Sequence, residues 1–144
     1  IPDKRVMQQA AMLLIGKHDF KNFSTAKKSK STERQIFEIE VYGDTEEMQI
    51  LIHADDFLHN MARLIIGTLM DIGFGTRRKE DIEEIFAGRQ LASAPCDPKG
   101  LIFRKSPIKA IINNANRNHQ ITVTAFVGYC LSLCHLRQIF ILPQ

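Results

Sequence analysis

The sequence predicts an α+β domain in which an antiparallel sheet carries helices on one face. Three observations carry that prediction. Two segments, residues 34–42 ("RQIFEIEVY") and 46–54 ("EEMQILIHA"), alternate apolar and polar residues at the two-residue period of a half-buried strand. Gly43 and Asp44 between them are turn residues, which fits an antiparallel hairpin. Segments on both sides have the longer apolar period of helices packed against a core.

Residues 3–15, "DKRVMQQAAMLLI", read as an amphipathic helix with Val6, Ala10, Leu13 and Leu14 on one face and Gly16 as its stop. The polar run "STAKKSKSTER" has five charged residues among its eleven and is a loop. Lys27, Lys28 and Lys30 are either solvated there or contact phosphates. In the first strand Phe37, Ile39 and Val41 form the dry face against Glu38 and Glu40; in the second, Met48, Ile50 and Ile52 alternate with Gln49 and Leu51. Residues 55–73, "DDFLHNMARLIIGTLMDIG", then form a helix of roughly 17 residues, about 26 Å long. Gly73 and Gly75 break it. "TRRK" leads into a short helix, "EDIEEIFAG", whose first turn holds Glu80 and Asp81 and which Gly88 closes. "LASAPCDPKG" contains two prolines and is irregular; "LIFRK" is a short closing strand. The domain thus spans residues 1–107. Residues 108–144 are an unassigned apolar tail, in which "ITVTAFVGYCLSLC" reads as a buried or partner-covered segment. Its fourteen uncharged residues fall short of the roughly 20 that a membrane helix requires, so no membrane span is expected.

Composition sets broad limits. With 144 residues, 44% hydrophobic and 24% charged, the chain can build one compact domain with its own core. A net charge of +3 is compatible with nucleic acid but does not argue for it. The chain opens on Ile1 without a secretory pattern and reads as a segment of something longer. Three widely spaced cysteines form no disulfide framework, which fits a reducing cytosol. Cys130, Cys134 and His135 cluster, but with one imidazole they leave a zinc site incomplete, and buried thiols fit them better.

One residue stands out. The fourteen residues between Asp56 and Asp71 include a single formal charge, Arg63. Helical spacing places it beside His59, Asn60, Gly67 and Met70, away from a core stripe of Phe57, Met61, Leu64, Ile65, Thr68 and Ile72. Either Arg63 lies at the helix edge and reaches water, or it is a partly buried guanidinium that needs a carboxylate. Asp55, Asp56 and Asp71 are the local carboxylates, and none sits three or four residues away. Gly67, one turn on, keeps that side clear for another element or a ligand.

Four blocks, "AAMLLIGKHDFKNF", "SKSTERQIFEIEV", "HADDFLHNMARLIIGTLMDIGFGTRRKEDIEEIFAGRQ" and "APCDPKGLIF", recur in a characteristic order over roughly residues 9–104. In order, spacing and residue type they resemble the C-terminal half of the tRNA pseudouridine synthase A family. That resemblance implies conversion of uridine to pseudouridine in the tRNA anticodon stem-loop, by a cytoplasmic homodimer needing neither metal nor organic cofactor. An aspartate attacks, the glycosidic bond breaks, and the detached uracil is turned and rejoined through carbon. It further implies that Arg63 matches the arginine pairing with this aspartate, and that Leu101, in "KGLIF", lines the uracil pocket. A neighbouring cation keeps such a carboxylate ionised and oriented. Lys27, Lys28, Lys30, Arg77 and Arg78 would contact tRNA phosphates, fixing register without reading bases; for Arg77 and Arg78 the alternative is a solvated turn.

The departures bear on activity. The family's catalytic aspartate belongs to a GRTDxGVHA-like motif in the N-terminal half, as does its active-site tyrosine, and neither motif occurs in these 144 residues. Tyr42 and Tyr129 lie outside the matching positions and inherit no role. Arg78 and Lys79 stand where the family often has Ser-Pro, and "KSPIKAIINNANRNHQ" with the tail matches nothing in the family. The expectation is therefore a C-terminal domain, inactive without its N-terminal catalytic domain. A non-catalytic RNA-binding or assembly module on the same scaffold is the alternative. A metal hydrolase would require His18, Asp19, His53, Asp55 and Asp56 to converge.

Overall fold

A computed structural model describes residues 2–25, 31–43, 47–106 and 120–128. The elements are α1 (Lys4–Met12), β1 (Gly16–Asp19), β2 (Glu33–Gly43), β3 (Glu47–Ala54), α2 (Met61–Gly73), α3 (Asp81–Phe86), β4 (Leu101–Ser106) and β5 (Gln120–Gly128). The strands form one antiparallel sheet in the order β1-β2-β3-β5-β4. The expected α+β layer is present. β5 comes from the stretch left unassigned by the sequence, and it inserts between β3 and β4. The rest of that stretch, residues 108–119 and 129–144, lies outside the described residues, and with it Cys130, Cys134 and His135.

β3 shows the period-two rule directly. Met48, Ile50, Ile52 and Ala54 are buried, while Glu47, Gln49, Leu51 and His53 are half-buried. Ile50 stands opposite Ala125 and Ile52 opposite Val123, which extends the buried face into β5. Met7, Ala10 and Ala11 of α1 and Ile65, Ile66, Leu69 and Ile72 of α2 complete this core. The two helices meet closely: a Cβ on Gly73 would lie 2.5 Å from Met7 Sδ.

In β2 the expected dry face is shifted. Register slips between Ile36 and Glu38, so Phe37 forms a β-bulge. Ile36 and Ile39, three apart, therefore both face the core, while Phe37 is 38% exposed and lies 5.4 Å from the His53 ring. Simple alternation could not reveal the extra residue. Beyond β1, side chains of α1 cover the free edge of β2: Gln8 donates to Ile39 O at 2.9 Å and accepts from Val41 N at 2.9 Å, and Lys4 Nζ donates to Gly43 O.

Helix ends follow capping chemistry. Asp3 caps α1 by accepting from Arg5 N and Val6 N. After α2, Gly75 takes φ +77°, Gly75 N donates to Ile72 O and Thr76 N to Asp71 O, closing the helix in a Schellman motif. Gly88 ends α3 in the same way, with Arg89 N on Glu84 O. The start of α2 corrects the sequence reading: residues 55–60 are not helical, and the helix has 13 residues. Asp55 extends the sheet instead, its N–H donating to Gln35 O and its carboxylate accepting from Gln35 N and Asp56 N. Asp56 in turn accepts from Phe57 N. Short acidic side chains bonded to nearby backbone compete with helix formation.

Asp19, exposed at the end of β1, is held below its ordinary carboxylate pKa, first by the Thr32 hydroxyl and then by the Lys21 N–H. A carboxylate lowered on folding contributes stability above its unfolded pKa, and that contribution is lost as pH falls through the folded value. Thr32→Val should therefore raise the Asp19 titration toward its ordinary midpoint. Carboxyl NMR titration checks this, and an unmoved midpoint would assign the shift to the Lys21 amide.

Candidate active-site arginine and its support

Arg63 lies in the first turn of α2, half-buried, and its guanidinium is held at two points. Nε donates to Cys96 O at 2.7 Å, and Nη1 donates to Asn60 Oδ1 at 3.0 Å. Among the described residues Nη2 makes no hydrogen bond, and no carboxylate pairs with the group. Asp55 and Asp56, the nearest in sequence, serve the backbone turns described above. Among the described residues Arg63 is therefore an oriented cation with one terminal nitrogen uncommitted.

The cover over this face is the irregular segment that follows α3. Cys96 N donates to Arg63 O at 3.1 Å, and Ser93 N donates to the buried Thr68 Oγ1 at 3.2 Å. Gly67 lies between these contacts, where a Cβ would come within 2.1 Å of Ala94 O. The element for which the glycine leaves room is thus residues 93–96 of the same chain. This segment runs on through a single 3-10 turn, Pro98–Gly100, to Leu101 at the start of β4, whose backbone stands opposite Ala125.

On its other side Arg63 is backed by a short polar chain. Asn60 Nδ2 donates to Thr25 Oγ1 at 2.9 Å, and that hydroxyl lies 2.8 Å from His59 Nδ1. Thr25 N also donates to His59 O. Helical spacing grouped His59, Asn60, Gly67 and Met70 with Arg63. It gave no signal for Thr25 or for the Cys96 carbonyl, both remote in sequence.

The remaining candidates separate. Arg77 is internal: Nη1 donates to Ser93 Oγ at 2.8 Å, Nη2 to Gln90 Oε1 and Leu91 O, and Nε lies 3.8 Å from Asp81. Its side chain is 16% exposed, so it braces the 90–93 segment and is poorly placed for the expected phosphate contact. The Arg78 side chain is 79% exposed, with Nη2 3.6 Å from Asp81 Oδ1, and Arg78 N donates to Asp81 Oδ2 at 3.2 Å. Lys27, Lys28 and Lys30 lie outside the described residues. Of the metal-hydrolase set, His18 stacks on Phe86 at 4.8 Å and its Nε2 lies 3.0 Å from Ile15 O. Among the described residues no three His, Cys, Asp or Glu side chains are placed to share a metal ion. No helix among them is long and apolar enough to cross a membrane.

These elements make one α+β layer built around a braced arginine that no carboxylate pairs with among the described residues. The chain belongs to the tRNA pseudouridine synthase family, whose model matches residues 10–106. It is 41% identical over 102 residues to a tRNA pseudouridine synthase A of Clostridium botulinum, covering 69% of this chain and 42% of that protein. To a tRNA pseudouridine synthase A 2 of Bacillus anthracis it is 40% identical over 91 residues, 62% of this chain and 37% of the relative. To a tRNA pseudouridine synthase A of Halalkalibacterium halodurans it is 34% identical over 125 residues, 83% and 48% respectively. The chain spans less than half the length of these relatives.

Proposed function

We propose that this chain is the C-terminal domain of a tRNA pseudouridine synthase and supplies the arginine wall of its active site. The observation that carries the reading is Arg63, fixed by Cys96 O and Asn60 Oδ1 with no carboxylate beside it among the described residues. Its partner is an aspartate on a polypeptide segment outside these 144 residues, where a GRTD-type motif would stand. A guanidinium next to that carboxylate keeps it ionised for attack and fixes its direction. Leu101 forms an apolar wall for the flipped uracil, which restricts the detached base while it turns. Arg78, with Lys27, Lys28 and Lys30, contacts tRNA phosphates; Arg77 supports the segment carrying Ser93. The anticodon stem-loop as target, the cytoplasmic setting and the homodimer rest on the family resemblance, and no cofactor or metal takes part.

A polypeptide of residues 1–144 should accordingly show no pseudouridine formation on an unmodified tRNA transcript, even at stoichiometric concentration. The measurement is release of tritium from 5-tritiated uridine in the transcript. Turnover by the isolated polypeptide would place a nucleophile within it and overturn the division of roles. An intact protein equally without activity, but retaining tRNA affinity, would favour the non-catalytic module.

A further inference from the structure

Asn60 occupies the N-cap position of α2 in an unusual way. Its backbone is left-handed, φ 60° and ψ 6°, whereas a capping residue is ordinarily extended. Among non-glycine residues asparagine tolerates this conformation best, which would suffice to explain its choice. Its side chain, however, makes no cap bond to the helix N–H groups. It bridges Arg63 Nη1 and Thr25 Oγ1 instead. A guanidinium only donates, so the amide oxygen must face Arg63 and the amide nitrogen must face Thr25. With the hydroxyl beside His59 Nδ1, the orientation of the amide is fixed from behind.

We propose that Asn60 is a positioning residue for the reaction: through Oδ1 it sets the plane of the Arg63 guanidinium so that Nη2 meets the catalytic carboxylate, and Thr25 locks Asn60 in that orientation. Cys96 O alone leaves the group free to swing about its Nε bond. The second contact, from Asn60, removes that freedom. The inference rests on the reading of Arg63 given above.

The experiment uses the intact synthase with Asn60→Gly, Thr25→Val and Arg63→Ala, measuring kcat and KM on an unmodified tRNA transcript and the thermal midpoint of each variant. Glycine accepts the left-handed backbone and removes only the amide, so it separates the two explanations for asparagine. The expected result for Asn60→Gly is a kcat lower by roughly ten- to a hundredfold, with KM within about twofold and a fall in midpoint no larger than the loss of two hydrogen bonds explains. Thr25→Val leaves both Arg63 bonds in place and should give a smaller loss of the same kind. Wild-type kcat in Asn60→Gly, while Arg63→Ala is inactive, overturns this inference alone. A kcat loss that disappears when the variant is assayed far below its midpoint, or one matched by a rise in KM, overturns it too, in favour of a structural role. Wild-type rates in Arg63→Ala would remove the reading beneath it.

Discussion

In the intact synthase, Arg63→Ala should lower the rate of pseudouridine formation by at least a hundredfold while the protein remains folded. Removing one oriented charge or donor from a water-excluded site costs on the order of 10²–10³ in rate, and the cation here is proposed to hold the nucleophile ionised. The folding cost is smaller. Truncation removes one hydrogen bond to Cys96 O and one to Asn60 Oδ1. At about 1 kcal/mol for each lost hydrogen bond, this is well within the stability of a domain. Arg63→Lys sharpens the test. A single ammonium can keep the charge but cannot span Cys96 O and Asn60 Oδ1 while offering a third donor to a carboxylate. It should recover little of the lost rate. Single-turnover rates with tRNA binding measured in parallel check both variants, and wild-type rates from Arg63→Ala would return the residue to a helix-edge arginine.

How much of this was legible in the sequence depends on whether the deciding contact was local. The β2–β3 hairpin pairing, the glycine stops at Gly75 and Gly88 and the short α3 all follow from periodicity and turn chemistry, and each is present; the expected turn residue Asp44 lies outside the described residues. The bulge at Phe37 was not legible, because one extra residue leaves the apolar pattern plausible in either register. The start of α2 was overextended for a related reason. Asp55 is captured by Gln35, twenty residues away, and no helical period records that pairing. At the site, spacing showed that Arg63 and Gly67 share a face and that the face needed an occupant. It could not show that residues 93–96 fill the space by Gly67. Arg77 is the converse case. Its type and neighbours pointed to phosphate, but Ser93, Gln90 and Leu91 bind its guanidinium from segments that only the fold brings near.

Gly67→Ala should destabilise the domain, although an isolated helix would gain from it. Alanine is worth about 1 kcal/mol over glycine in a helix interior, which sets the expected sign if nothing lies nearby. Here the new Cβ would sit 2.1 Å from Ala94 O, with Ala94 C at 3.3 Å and Cys96 N at 3.6 Å. The nearest obstacle is backbone, which cannot rotate away as a side-chain end could. Either α2 or the 93–96 segment must move, and overpacking of this kind typically costs 1–3 kcal/mol. Movement of the segment would also stretch Cys96 N to Arg63 O and Ser93 N to Thr68 Oγ1, at about 1 kcal/mol each. The net expectation is a loss of roughly 1–3 kcal/mol, read from the denaturation midpoint of the described domain. The same displacement carries Cys96 O away from Arg63 Nε, so activity of the intact protein should fall further than stability alone explains. A stabilised Gly67→Ala variant would mean that the segment does not pack on this face, and Arg63 would then lose one of its two supports.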